Sequence, residues 1–393
     1  MSIIFLLLDI IMVITGAMVC YLLVLTVAAF LTSRRTITSE KAPTHRFLVM
    51  IPAHNEERLL PELLSSLKRL DYPSALYSVH VVADNCTDQT ADIARRAGVN
   101  VHERSDLDQR GKPYALQWLF KRIWEKGDPY DAALILDADS IISENFLTVM
   151  DARLARGERA IQAYYGVRQP EHSWSASLRA IALSAIHYVR PMGRMMIGGS
   201  AGLKGNGMVF TADITKRYQW PVSLTEDAEY HMTLLLGGER VTFAPDATVL
   251  AEMPGTLADA RTQNVRWERG RLQVVRQYVP RLLHKALQRR SFLLFDAAVE
   301  QIIPPFSVIV MVTLLCLLAA LIGSHYQLVT LSALVLLGEA AYVLAGPLVA
   351  QSPYRLYLAL LYAPAFLLWK LWLYVRVVIG LDRQGWVRTT RNK

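Results

Sequence analysis

The sequence predicts an α/β domain held between membrane-spanning segments. Two observations predict it: apolar residues are concentrated at the two ends of the chain, and the polar middle alternates short β-rich runs with helical stretches. Of 393 residues, 53% are hydrophobic and only 19% charged, a skewed balance for a soluble protein. Residues 3–31 hold one acid, Asp9, and further apolar stretches lie at about 302–323, 327–350 and 354–380. Each exceeds the roughly 20 residues that a helix needs to cross a bilayer. No base precedes the first run, and it outlasts the apolar core of about 7–15 residues in a cleaved signal peptide, so residues 1–32 read as a retained anchor. Arg34, Arg35 and Lys41 follow it. The positive-inside tendency therefore places the polar domain in the cytosol, on a multi-pass protein of the plasma (inner) membrane. One anchor plus three C-terminal spans would leave the C-terminus outside, whereas the basic tail, 381–393, argues for the inside. The stretch 354–380, with Pro364 mid-run and Lys370 and Arg376 late, is the expected exception to a simple crossing.

Within the middle, Phe47–Ile51 reads as a strand, and "PAHNEE" leads into a helix near 57–70. Val79–Ala83 is a second strand; "DNCTDQT" and a helix ending near Gly98 follow. Val99–Glu103 is a third strand, "RGKP" opens a helix to about Glu125, and Ala132–Leu136 is the fourth. Strands alternating with helices predict a parallel sheet covered on both faces, with ligands at the C-terminal ends of the strands.

Those ends carry the chemistry. Strand one delivers Pro52, Asn55 and Glu56, strand two Asp84, strand four Asp137 and Asp139, and the loop before the third helix Lys112. Crowded carboxylates repel one another unless a cation joins them. In an extended segment residues i and i+2 point to one side, so Asp137 and Asp139 present two hard oxygen donors together. That pattern suits Mg²⁺ or Mn²⁺, with substrate phosphates and water completing the shell. An Asp-x-Asp triplet in isolation also simply ends a strand.

Three clusters follow downstream. "LTEDAEYHM", 224–232, places Glu226 and Asp227 in the first turn of a helix that Thr225 can cap. "QNVRWERGR", 263–271, sets Gln263, Arg266 and Trp267 on one helical face; Arg can grip a diphosphate bidentately, and Trp offers a flat face to a sugar. "GGSAGLKGNG", 198–207, is a glycine-rich loop without the Gly-Lys-Ser/Thr ending of a P-loop, and it can bring backbone close to an acceptor. Residues 256–290 hold nine Lys/Arg against two acids, and read as amphipathic interfacial helices attracted to anionic lipid. Because the excess of eight positive charges flanks apolar segments, nucleic acid is not the expected partner. Cys20, Cys86 and Cys316 have neither disulfide-framework nor zinc spacing. Asp9, Glu300 and Glu339 fall in or beside the apolar stretches, where acids can line a polar path.

Taken in order, Asp84, Asp137-Ala138-Asp139, Thr225-Glu226-Asp227 and Gln263-x-x-Arg266-Trp267 resemble the motif set of the family 2 glycosyltransferases, over about 46–275. "VVADNCTDQTADIARRAG" followed by "RGKPYAL" is similar to membrane-bound bacterial members of exopolysaccharide synthesis; cellulose, chitin and hyaluronan synthases and ceramide glucosyltransferases share the later motifs. The resemblance implies a GT-A (Rossmann-like) nucleotide-sugar domain, 46–255, between the N-terminal transmembrane helix and a C-terminal transmembrane region, 300–380. It implies inverting transfer from a nucleotide-diphospho-sugar, a UDP-sugar, to a lipid-linked saccharide or growing glycan, with a divalent metal. By motif, Asp84 would contact the base with Pro52 and Glu56 nearby. Lys112 would touch the nucleotide, Asp137 would face the nucleoside side and Asp139 the metal. Asp227 would be the general base beside Glu226. Gln263 and Arg266 would hold the diphosphate, Trp267 would sit beside the acceptor sugar, and Gly205 and Asn206 would line the acceptor. Ala83 stands where many relatives carry a second acid, and His54 where many carry Tyr; His54 reads as a packed turn residue.

Overall fold

The computed structural model describes residues 3–32, 42–253 and 257–379. Arg34, Arg35, Lys41 and the basic tail lie outside the described residues. Eight strands form one sheet: β1 (Phe47–Ala53), β2 (Tyr77–Asp84), β3 (Asn100–Arg104), β4 (Ala132–Ile135), β5 (Ser140–Ile142), β6 (Ala160–Val167), β7 (Met208–Thr211) and β8 (Val241–Ala251), in the order β3-β2-β1-β4-β7-β6-β8-β5. The runs are apolar throughout because both faces are buried. Along β1, Phe47, Val49 and Ile51 enter one core with the helix Leu60–Lys68, while Leu48 and Met50 enter another with the helix Lys112–Lys126.

The expected parallel sheet is found in β3-β2-β1-β4, and β6 and β8 also pair in parallel, but the sheet as a whole is mixed. β7 runs antiparallel to both β4 and β6, and β5 antiparallel to β8. A parallel strand requires a crossover that returns the chain to the opposite end of the sheet. After β6 the chain instead passes through helices at 174–196 and the glycine-rich loop, then re-enters at the edge where β4 ends. The result is functional: the ends of β1, β2, β4, β6 and β8 and the segment entering β7 all meet at one edge.

Among the described residues three helices are long and apolar enough to cross a membrane, Ile3–Leu31, Tyr326–Val349 and Tyr354–Arg376; a fourth candidate is the pair Phe292–Ile302 and Phe306–Ile322, bent by 63°. The break falls at Ile303-Pro304-Pro305, where two prolines remove consecutive backbone donors. It does not fall at Pro364, which sits in the first turn of Ala363–Ile379 after a 3₁₀ segment, Tyr354–Tyr362. The intramembrane acids have separate partners: Glu339 accepts from Thr313 Oγ1 at 2.6 Å, Glu300 lies 3.4 Å from Arg190, and Asp9 lies 4.0 Å from His325.

The sheet domain is joined to the spans by buried polar contacts. Asp296, 1% exposed, accepts from Tyr21 Oη and from Arg194 Nε, both at 2.8 Å. Arg190 Nε donates to Tyr342 Oη at 2.8 Å. These bonds link Ile3–Leu31, Arg190–Met196, Phe292–Ile302 and Tyr326–Val349. Gly193 permits the approach, since a Cβ there would overlap the Leu25 carbonyl. Removing one partner of a buried pair leaves an uncompensated charge and costs about 3–5 kcal/mol. Asp296→Ala is accordingly expected to lower thermal stability in detergent sharply, with Asp296→Asn, which still accepts, losing less; equal melting curves for all three proteins would show that the contact does not hold the junction.

Candidate active site

A cavity of about 600 Å³ opens at that shared edge. The strand ends are shaped for it. Asn55 and Asn85 adopt left-handed backbone (φ 55° and 53°), a conformation Asn tolerates, and turn the chain sharply after β1 and β2. The β1–β4 register, Met50 opposite Ile135, places Pro52–Glu56 beside Asp137–Asp139. Among the sequence candidates, Pro52, Glu56, Asp84, Lys112, Asp137, Asp139, Gly205, Glu226, Asp227, Gln263, Arg266 and Trp267 all line the cavity.

Asn206 does not. It is fully buried behind the Asp137–Asp139 turn: its Oδ1 accepts from Asp137 N at 3.1 Å, its Nδ2 donates to Ser140 Oγ at 2.7 Å, and its carbonyl accepts from Gln162 Nε2 at 2.8 Å. An amide with complementary donors and acceptors on both sides is a strut for the acidic turn rather than an acceptor wall. Thr225 also departs from expectation. It precedes the helix Glu226–Leu236 without a side-chain capping bond, and its side chain fits over Gly270 of the helix Leu257–Arg289, where a Cβ would overlap it.

Asp84, 3% exposed, is held on three sides. Oδ1 accepts from Arg104 Nη1 at 2.6 Å and from Asn85 Nδ2 at 3.0 Å, and Oδ2 accepts from Gly111 N at 3.3 Å. Arg104, at the end of β3, faces Asp84 in register, a partner that strand pairing alone reveals. His54, half-buried, lines the cavity beside the β1 turn, its Nδ1 2.7 Å from the Asp84 carbonyl. Lys112 Nζ donates to Asp137 Oδ1 at 2.6 Å and to the Gly205 carbonyl. Burial works against its charge, but Asp137, Glu226 and Asp227 more than offset that and hold its pKa above the ordinary value. Gly205 has φ +80°, and a Cβ there would lie 3.4 Å from Asp227 Oδ2; glycine both permits the turn and lets backbone lie against the carboxylate.

Burial, reinforced by Asp227, raises the Glu226 carboxyl to about 7 against the pull of Lys112 and Arg266. Asp227 is raised as well, again chiefly by burial, with the Ala228 N–H, Lys112 and Lys204 opposing. A raised carboxylate pKa near working pH is the property of a proton acceptor. Arg266 lines the cavity with a buried Nε that has no hydrogen-bond partner among the described residues, a donor suited to an anion.

Sequence reading missed Tyr165, Lys204 and Glu252, which also line the cavity. Glu252 follows β8, and its N–H donates to the Asp139 carbonyl at 3.3 Å, placing the two acids opposite across the β5–β8 pairing. Only that pairing signals it. Among the described residues no three acids, histidines or cysteines close around a metal by themselves. The donor set nonetheless fits a hard divalent ion whose shell a diphosphate completes: Asp139 and Glu252 offer carboxylate oxygens, and one Asp137 oxygen is already committed to Lys112.

The family model for Glycosyltransferase like family 2 matches residues 43–270, more than half of the chain, and the chain belongs to that family. Its α/β domain is built on one mixed eight-stranded sheet. Among curated proteins, a Bacillus subtilis (strain 168) protein named probable glycosyltransferase YdaM is 25% identical over 257 residues, 63% of this chain and 60% of the relative. A poly-beta-1,6-N-acetyl-D-glucosamine synthase of Staphylococcus epidermidis is 24% identical over 259 residues, 64% of this chain and 60% of the relative. The chain thus spans about 60% of the length of these relatives. Among solved structures, a mannosyltransferase from Pyrobaculum calidifontis, in complex with GDP-Man and Mn²⁺, aligns over 85% of this chain and 98% of its own with a TM-score of 0.47 and 17% identity.

The raised Glu226 carboxyl has a consequence for stability. The folded group keeps its proton to about pH 7, whereas the unfolded group releases it near its ordinary 4.5. Folding therefore takes up a proton between these values, and the stability this group contributes is full below pH 4.5 and lost as pH rises to 7. In donor-free, metal-free buffer, the melting temperature of Glu226→Gln relative to wild type is expected to rise from pH 5 to pH 8; a pH-independent difference would contradict the assignment.

Proposed function

We propose that the protein is an inverting glycosyltransferase that moves a sugar from a nucleotide-diphospho-sugar, a UDP-sugar, to a membrane-associated, polyprenyl-linked saccharide in cell-surface polysaccharide synthesis. The observation that carries the proposal is the convergence of Asp84, Asp137, Asp139, Asp227 and Arg266 on one cavity from two strand ends and two helices. We infer a plasma (inner) membrane location with the cavity facing the cytosol, where nucleotide sugars are made, and a basic interfacial helix at the lipid surface.

In this reading Asp84, fixed by Arg104, holds the base end of the donor beside Pro52 and Glu56. Lys112 and Asp137 position the nucleotide, and Gln263 and Arg266 hold the diphosphate. Asp139 and Glu252 would hold a Mg²⁺ or Mn²⁺ ion, which would supply Lewis-acid neutralisation of the departing diphosphate. Asp227 removes the proton from the acceptor hydroxyl, whose oxygen attacks the anomeric carbon as the bond to the diphosphate breaks. Gly205 holds backbone against the Asp227 carboxylate on one side, and Trp267, 39% exposed, offers its face to the acceptor sugar. Arg266 meets the charge that develops on the leaving group, where a preorganised donor is most effective.

A processive synthase that elongates and exports its polymer is the second reading, favoured by the names of the staphylococcal relatives. Sizing of products from labelled donor separates the two: one added sugar, or a ladder. General-base catalysis contributes about 10²–10⁴-fold, so Asp227→Asn should lose turnover by that order while donor binding survives; wild-type transfer by the mutant would end the assignment. Asp139→Ala should lose metal-dependent nucleotide affinity, measured by calorimetry in saturating Mn²⁺, and an unchanged affinity would refute the metal role.

A further inference from the structure

Lys370 is a base late in an apolar stretch, and the donor chemistry above does not use it. It lies in the helix Ala363–Ile379, within the candidate span Tyr354–Arg376, and is 8% exposed. A charged side chain at membrane depth is costly, faces the protein interior and pairs there. The partners of Lys370 are on the helix that walls the active-site cavity. Its Nζ donates to Asn264 Oδ1 at 2.7 Å and lies 3.5 Å from Glu268 Oε1. The same Glu268 oxygen accepts from Tyr374 Oη at 3.3 Å, one turn further along the span. Ser307 Oγ, in the neighbouring helix Phe306–Ile322, lies 3.0 Å from that hydroxyl.

Asn264 and Glu268 are four residues apart and share one face of the helix Leu257–Arg289. Gln263 and Trp267, also four apart, present the next face to the cavity together with Arg266. The helix therefore carries the cavity wall on one face and a charged clamp to the membrane span on the adjoining one. Arg271 adds a second tie. Its Nη2 donates to the carbonyls of Gln301, at 3.2 Å, and Ile303, at the break between two apolar helices. Apolar packing is non-directional and lets a helix turn slightly about its axis, whereas charge-assisted hydrogen bonds resist such a turn. The tolerance is narrow. A turn of about 20° moves a group roughly 6 Å from the axis by about 2 Å. A misplacement of about 1 Å can cost roughly 10²-fold in rate.

We propose that Lys370 is a positioning residue: through Asn264 and Glu268 it fixes the rotation of the Leu257–Arg289 helix, and so sets Gln263 and Arg266 against the donor's diphosphate. The proposal rests on the glycosyltransferase reading above and adds a membrane-span residue to the parts that act on the leaving group. In that reading the base end of the donor is held at strand ends, which the clamp does not touch. Loss of the clamp then weakens the grip on the second phosphate and leaves the nucleoside end intact.

The test uses the full-length protein in phosphatidylcholine nanodiscs with Mn²⁺ and three measurements: affinity for UDP, affinity for UMP, and hydrogen–deuterium exchange of the backbone amides of residues 263–273. Lys370→Met is expected to lower UDP affinity about tenfold, the loss typical of a charge-assisted hydrogen bond, and to change UMP affinity less than about twofold. It is also expected to raise exchange in 263–273, because a helix released from its clamp opens more often. Glu268→Gln, which removes charge from the other side of the clamp, is expected to shift UDP affinity and exchange in the same directions by less. Lys370→Arg, which keeps the charge and the donor, is expected to stay near wild type in all three. An unchanged ratio of UDP to UMP affinity in Lys370→Met and Glu268→Gln would overturn the proposal. So would an equal loss of both nucleotides in Glu268→Gln, because the contact would then support the whole domain; this milder variant decides if Lys370→Met does not fold. Wild-type protein that binds neither nucleotide, with exchange still raised by Lys370→Met and not by Lys370→Arg, would sink the donor assignment and leave the clamp standing.

Discussion

Repulsion among crowded carboxylates is the constraint around which this molecule is arranged. Asp84, Asp137, Asp139, Glu226 and Asp227 face one cavity, and none could remain there without compensation. The protein provides part of it: Arg104 neutralises Asp84, Lys112 spans from Asp137 to the Gly205 carbonyl, and the amides of Asn206 and Asn85 fix the turns that carry the acids. Among the described residues, Glu252 and the raised pair Glu226 and Asp227 are left with charge or protons to exchange. A site finished by its own cations would be inert; this one is finished by what binds.

The same logic extends into the membrane junction. Here the charges are paired: Arg194 with Asp296, and Arg190 with Tyr342 and Glu300. Pairing lets a polar seam lie between a hydrophobic bundle and a sheet domain without a desolvation penalty large enough to open it. Lys204 lines the cavity and its charge interacts with both Glu300 of this seam and Asp227. The cavity walls built on strand ends and those built on helices thus meet along one boundary.

Much of this could be read along the chain. The parallel half of the sheet, the strand-end acids and the helical face of Gln263, Arg266 and Trp267 follow from local pattern, since burial on both faces of a sheet and the 3.6-residue helical period leave direct marks in sequence. Asn206 was misplaced because a motif position shows that a residue is near the site, not which way its amide is turned. Arg104 and Glu252 carried no local mark at all. Each is made relevant by a partner in another strand, Asp84 in one case and Asp139 in the other.

The sequence by itself determined that acids, one arginine and a lysine would gather at the edge of an α/β sheet beside a membrane, because period, composition and strand termini are local properties. Tertiary structure alone decided the antiparallel return through β7, the break at Pro304 and Pro305, and which cations find partners. Pairing of charges depends on distances between segments far apart in the chain, and those distances are set by packing.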